Sequence, residues 1–490
     1  MLDKPADMFD REFEWSALSR FITDDQPGAT IGVVSGRRRQ GKTYLLDAAY
    51  EQAGGFYFGA TQATDAESLR LISADLTAHL NPPSPLHLAD WHEVLDTLLA
   101  LGAERPVPVV LDEFPYLVKA APELPSVIQQ AFRTRRPERT RSQTRLLLCG
   151  SAMSFMGGLL SGNAPLRGRA GLELVVPTLD YRLAAEFWGI TDPHLAVKVN
   201  AVVGGTPAYR REFARNDVPK GPDDFDSWIT RTVLNPESPL FREARYLLAE
   251  ETELRDEALY HSVLAAVAAG NHGRGGIAGY LSRKAQDIAH PLNVLEDAGL
   301  LVRSHDVFRD NRTRYQIAEP LVIFYHAIMR PVWDQLERPG SAARVWRTSR
   351  NRFASNIIGP HFEQLCRTWA LHFADPDLFG GLPAKIGAGT VNDAAAHTSH
   401  EVDVAVIGVA DGTKPPLLSI GEVKWNDRMS LGQLDRLRHI RSLLTHHDRY
   451  DTGHTTLACY SAAGFTDDLK AIAAETDDVL LIDIQQLYGG

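Results

Sequence analysis

The chain is poor in cysteine: three in 490 residues, Cys149, Cys366 and Cys459, odd in number and widely spaced. That excludes a disulfide-stapled framework and offers no metal-ligand spacing. The thiols read as small core residues of a protein kept in a reducing compartment, the cytoplasm. Long apolar runs are missing too. None approaches the roughly 20 residues that span a bilayer, and the opening "MLDKPADMFDREFEW" lacks the apolar core of a signal peptide, so no membrane partner is expected. Nor is there an excess of positive charge, since the formal net charge is −11. The molecule as a whole is therefore no polyanion binder, and nucleic-acid binding would have to use local patches. Two patches qualify, "RTRRPERTRSQTR" (133–145) and the set Arg338, Arg344, Arg347, Arg350 and Arg352; each reads equally well as a solvated loop or linker. What remains is an ordinary globular composition, 44% hydrophobic and 23% charged, in a chain long enough for about three domains.

"IGVVSGRRRQGKTYLL" (31–46) is an apolar run, a glycine-bounded loop and a helical pattern, and it fits G-x-x-x-x-G-K-[ST] from Gly36 to Thr43. Such a loop turns backbone N–H groups inward around a phosphate chain, and the following helix adds its positive end. Gly36, Arg37, Gln40 and Gly41 would line it, Lys42 would reach the β- and γ-phosphates of ATP, and Thr43 would hold Mg²⁺. A partner strand follows, "RPVPVVLDEFPYL" (105–117), ending in Asp112 and Glu113. Asp112 would position the Mg²⁺, and Glu113 is the candidate base for the attacking water. A third strand, "TRLLLCGSAMSFM", ends at Ser151, which either senses ATP against ADP or merely turns the chain.

These segments, with "FDREFEWSAL" (9–18), "PLRGR" (165–169) and "GGTPAY" (204–209), occur in this order and together resemble the archaeal-type ATPases of the AAA+/STAND group. The resemblance implies a P-loop parallel α/β sheet with a helical lid. It further implies that Arg167 or Arg169 contacts the γ-phosphate, if need be from a neighbouring copy in a homo-oligomer, and that Pro207 packs near the adenine. It also places a winged helix after the lid, where "DEALYHSVLAAVAAG" and two shorter helical patterns precede a hairpin; such a domain can dock DNA.

After a proline- and arginine-bearing linker the pattern changes. A helical stretch, "HFEQLCRTWALHF", carries Glu363 off its apolar stripe. "SHEVDVAVIGVADGTKPPLLSIGEVKW" then reads as two strands around a turn containing Asp411-Gly412. Strict alternation would put Val402, Val404 and Val406 on one face, with Glu401 and Asp403 on the other. Asp403, Glu422 and Lys424 can then converge: two carboxylates for Mg²⁺ beside a phosphodiester, and an ammonium for the water or the developing charge. The competing reading of Glu422 and Lys424 is a surface ion pair. The spacing D-x₁₈-E-x-K after a helix bearing Glu363 resembles the PD-(D/E)xK restriction-endonuclease-like fold, although Glu-Val-Asp stands where that family has Pro-Asp. Gln433 on the next helical stretch is a further candidate for this site.

The sequence thus predicts an ATPase core over 1–203, a lid over 204–245, a winged helix over 246–330, a linker over 331–347 and a nuclease-like α/β domain over 348–490. The function it suggests is ATP-gated, Mg²⁺-dependent DNA cleavage. The rivals are a non-cleaving ATP-switched regulator and a DNA-binding protein of the transcription type.

Overall fold

The computed structural model describes residues 2–249, 257–410, 412 and 414–489. Asp256 at the head of one expected helix and Asp411 in the expected hairpin turn lie outside these. The chain forms two compact units.

The first unit comprises the residues up to Thr178 together with Thr206–Ala208 and Asp297–Gly299. Its strands are β1 (Thr30–Ser35), β2 (Phe56–Gly59), β3 (Val107–Asp112), β4 (Thr144–Gly150) and β5 (Ala170–Val175), all parallel, in the order β2-β3-β4-β1-β5. A parallel sheet needs apolar cover on both faces, and the alternating residues supply it. Ile31, Val33, Val109, Leu111, Leu146 and Leu148 enter one core, with the helices Asp65–Leu80 and Trp91–Leu101. Val34, Val110, Leu147 and Cys149 enter the other, beneath α1 (Glu12–Thr23) and α2 (Lys42–Ala53). All three cysteines are buried and unpaired.

Arg145, from the first basic patch, is wholly buried on β4. Its guanidinium donates to the carbonyls of Asp24, Gln26 and Gly28, so it secures a loop and offers no surface to a polyanion.

The second unit holds the remaining residues. Here α3 (Glu257–Ala268), α4 (Arg274–Tyr280) and α5 (Ala289–Asp297) lead into an antiparallel ribbon of β6 (Leu301–Asp306) and β7 (Arg309–Ile317). The stretch expected as a linker is largely helical. α6 (Ala342–Phe353) buries Val345, Trp346 and Phe353, and the rings of Phe225, Phe324 and Trp346 surround Phe353. Arg344, Arg347 and Arg350 face solvent on the same helix. An arginine-rich sequence with apolar positions three to four apart is one side of an amphipathic helix.

α7 (Gly359–His372) precedes a mixed sheet of β8 (Pro383–Asp393), β9 (Thr398–Gly408), β10 (Leu417–Lys424), β11 (Thr456–Ser461) and β12 (Val479–Asp483), in the order β12-β11-β10-β9-β8. The pairs β8–β9 and β9–β10 are antiparallel; β10–β11 and β11–β12 are parallel. α8 (Leu431–His447) lies between β10 and β11 in the chain. One sheet face packs on α7 through Phe362, Leu365 and Trp369, the other on α8 through Leu434, Leu437 and Ile440.

Strict alternation fails on β9. Val402 joins the core under α8, while Val404 and Val406 join the core under α7. The cause is a bulge: Val402 pairs with Gly389 and Ala405 with Gly387, so two residues of β9, Asp403 and Val404, stand against one of β8.

Candidate functional site

Because β1, β3 and β4 are parallel, their carboxyl ends meet at one sheet edge, where open α/β sheets bind ligands. The loop after β1 turns on Gly36 (φ +155°), Arg39 (φ +67°) and Gly41 (φ +86°). A Cβ at Gly36 would lie 2.5 Å from the Val176 carbonyl oxygen, so that position is sterically closed to other residues. Gln40 is buried, and Arg37 is half-buried. Lys42 opens α2, and its Nζ donates to the Arg37 carbonyl at 2.9 Å. Burial pulls its pKa below the ordinary lysine value, against the attraction of Cys149, Glu113 and Asp112.

The Thr43 hydroxyl, on an exposed residue, donates to Asp112 Oδ2 at 3.2 Å. The Tyr57 hydroxyl donates to the same oxygen at 2.6 Å. Glu113 follows in the left-handed region (φ +50°), and both its oxygens are 3.3 Å from the Ser151 hydroxyl. Burial raises its pKa above the usual glutamate value; Asp112 adds to this, while Arg38, Lys42 and Ser151 oppose it. The structure therefore brings Lys42, Thr43, Asp112, Glu113 and Ser151 together. Arg167 is exposed and donates to the Gly162 carbonyl in its own loop, and Arg169 is half-exposed. Pro207 is half-buried in a segment that belongs to this unit.

In the second unit the β9 bulge sets Asp403 beside β10, where its Oδ2 accepts the Val423 N–H at 2.8 Å. Glu422 is buried on β10, with Lys424 Nζ 2.8 Å from Oε1. From α8, Arg436 donates to Glu422 Oε1 and Oε2 at 2.7 and 2.8 Å. Glu363 on α7 is half-buried, with Arg367 NH1 3.6 Å away. The same guanidinium nitrogen donates to the Asp403 carbonyl. Burial, then the like charges of Glu363 and Glu422, push the Asp403 pKa up to about 7. Burial likewise raises Glu363. Gln433 does not join: its Oε1 accepts from the Ser430 N–H and hydroxyl, closing a capping box at the start of α8.

No protein-family model matches the chain. It is 25% identical over 422 residues to the uncharacterized protein MJECL04 of Methanocaldococcus jannaschii, covering 85% of this chain and 87% of that one. Among solved structures, the Walker-type ATPase PABY2304 of Pyrococcus abyssi aligns with a TM-score of 0.51 at 21% identity, over 66% of this chain and 97% of its own. The ORC2 protein of Aeropyrum pernix aligns at a TM-score of 0.43 and 14% identity, over 71% and 97%. Over 66% of its length the chain shares the fold of that Walker-type ATPase.

At both sites the sequence left several partners unread. Arg11, in the left-handed region (φ +76°), is buried and donates to the Gln40 and Pro177 carbonyls, bracing the phosphate loop from behind. The segment "FDREFE" marks it, but only a non-glycine residue with positive φ reveals why. Tyr57 lies on a strand that reads as plain core. Arg436 is one helical turn beyond Gln433, on the same face; the sequence pointed to the right helix and the wrong turn. For Mg²⁺, both donor sets are hard oxygens: Thr43 with Asp112, and Asp403 with Glu422, where a cation would offset the burial and the neighbouring carboxylates that raise Asp403.

Proposed function

We propose that the chain binds and hydrolyses ATP with Mg²⁺, and that its nucleotide state gates Mg²⁺-dependent DNA cleavage by a restriction-endonuclease-like domain over 348–490. The cluster of Lys42, Thr43, Asp112, Glu113 and Ser151 at one sheet edge carries the first part. Amides of the 36–41 loop cradle the phosphates, and Lys42 moves from the Arg37 carbonyl to the β- and γ-oxygens. Glu113, whose pKa burial raises above the usual glutamate value, takes the proton of the attacking water, and Ser151 holds it in place. Bound Mg²⁺ would supply charge neutralisation at both sites. In the second unit Asp403 and Glu422 would hold Mg²⁺ beside the scissile phosphodiester, and Lys424 orients water or meets the charge that builds on phosphorus. Arg167 or Arg169 is proposed to reach the γ-phosphate from a second copy. The helices α3–α5 and the β6–β7 ribbon are proposed to act as a winged helix that would contribute to DNA binding.

A second reading has an observation of its own. Both Glu422 oxygens are already held by cations, Lys424 and Arg436, which suits a non-cleaving, ATP-switched regulator. Plasmid and single-stranded DNA incubated with Mg²⁺ or Mn²⁺, with and without ATP, separates the two. Cleavage that disappears in Asp403→Ala supports the first reading; DNA binding without metal-dependent cleavage supports the second.

A further inference from the structure

Among the described residues, one set of three ligating side chains has donor atoms all within 4.8 Å of one another, and it is none of the carboxylates above. It is Asp393, His400 and His439. The fold brings them together by simple rules. Val391 pairs with His400 across the β8–β9 hairpin, and Asp393 pairs with Thr398. Opposite residues share a sheet face and alternate residues repeat it, so Asp393 and His400 are diagonal neighbours on one face. Val391 and Val402 enter the core with Leu437 and Ile440 of α8, so this is the face that α8 covers. His439 stands between those two leucine and isoleucine anchors and completes the set.

His439 Nε2 is 2.8 Å from Asp393 Oδ2, and His400 Nε2 is 3.7 Å from the same oxygen. The two rings stand nearly perpendicular, their centroids 5.3 Å apart. Asp393 Oδ1 accepts the Ala396 N–H at 3.0 Å, which fixes the carboxylate plane. One histidine would be enough to satisfy Asp393. The second is the decisive observation: His400 Nε2 is buried and has no hydrogen-bond partner, although it is aimed at the shared oxygen.

We propose that Asp393, His400 and His439 bind a divalent first-row transition metal, Zn²⁺ foremost. Two imidazole nitrogens and one carboxylate suit Zn²⁺, Fe²⁺ or Co²⁺ and disfavour Mg²⁺ and Ca²⁺, which prefer all-oxygen shells. Metal–nitrogen bonds of about 2.0–2.1 Å need only small shifts of ligand atoms that already lie this close. Three protein ligands leave a fourth position for water, and the His439 side chain, 48% exposed, opens it to solvent. The ion would clamp the end of the β8–β9 hairpin to α8. Cysteine spacing gave no hint of this site because it contains no cysteine.

The test uses the full chain, stripped with EDTA, desalted and titrated with Co²⁺ in the absence of nucleotide. One equivalent should give the visible absorption of a four- or five-coordinate, nitrogen-bearing site, which Zn²⁺ then displaces. Six-coordinate all-oxygen sites, such as Thr43 and Asp112 would offer, absorb far more weakly. His400→Gln and His439→Gln should each weaken uptake roughly tenfold or more. For variants that do not fold, the parent itself decides: Zn²⁺ should shield His400 and His439 from diethylpyrocarbonate, read by peptide mass spectrometry. No such absorption at millimolar Co²⁺, absorption unchanged in both folded variants, or both histidines equally labelled with and without Zn²⁺ would overturn the site.

Discussion

Lys42 and Glu113 sit in one cluster but fail differently when changed. Lys42→Ala removes the ammonium proposed to reach the β- and γ-phosphates, so ATP binding and turnover should both be lost in an equilibrium binding and phosphate-release assay. Glu113→Gln keeps the shape and the Ser151 contact. Its turnover should fall by roughly 10²–10⁴ while ATP stays bound, since only the proton acceptor is gone. Parental turnover in Glu113→Gln would remove it from the base's role. Asp403 carries the pH dependence. Its pKa is pushed up to about 7 by burial, then by Glu363 and Glu422, against about 3.9 in an unfolded chain. Between those values the folded state holds a proton that the unfolded state has released, so stability falls as pH rises through that window. Metal competes with the same proton, so Mn²⁺ affinity at Asp403 and Glu422 should drop up to about tenfold per pH unit below 7. Calorimetric titration from pH 5.5 to 8 measures it; a flat profile would mean that Asp403 is no ligand. These residues were readable because chemistry restricts their type and spacing. Tyr57 and Arg11 were not, because a core strand and a positive-φ turn leave no such signature.

At the scale of elements, α8 presents Gln433, Arg436 and His439 three residues apart, and each does something different. Gln433 caps the helix, Arg436 grips Glu422 and His439 meets Asp393. Gln433→Ala should therefore cost about 1 kcal/mol of stability in chemical denaturation and leave metal binding untouched. Arg436→Met frees Glu422 from one of two competing cations, so Mn²⁺ affinity at Asp403 and Glu422 should rise severalfold. A fall instead would show that Arg436 holds the carboxylate in its binding pose. On β4, Arg145→Ala strands the carbonyls of Asp24, Gln26 and Gly28. A loss of about 3 kcal/mol is expected, without change in DNA affinity measured by anisotropy. Strands and helices were legible from apolar period. The β9 bulge was not, since it inserts a residue without changing composition. Within 331–347, arginines on the outer face of α6 mask the buried Val345 and Trp346 beneath them in the sequence.

The whole molecule joins a parallel sheet that carries the phosphate loop to a mixed sheet that carries the acidic cluster, each with cores of its own. If the two sites act independently, a substitution at one leaves the chemistry of the other unchanged, since effects add for positions that share no partners. Asp403→Ala should accordingly leave ATP hydrolysis within about twofold of the parent while abolishing any metal-dependent cleavage. The reciprocal variant is the sharper one. If nucleotide gates cleavage, a ligand must bind the active and inactive states with different affinity, and one with equal affinity for both shifts nothing. Lys42→Ala, which cannot bind ATP, should then fix the protein in its nucleotide-free state, and its cleavage rate should equal that of the parent without ATP at every ATP concentration. Glu113→Gln, which binds without turnover, should show the opposite extreme from the first addition of ATP. A nicking assay across ATP concentrations, run on the parent and both variants, distinguishes gating from independence. Superimposable rates in all three proteins would mean that the two sheets share a chain without sharing a switch.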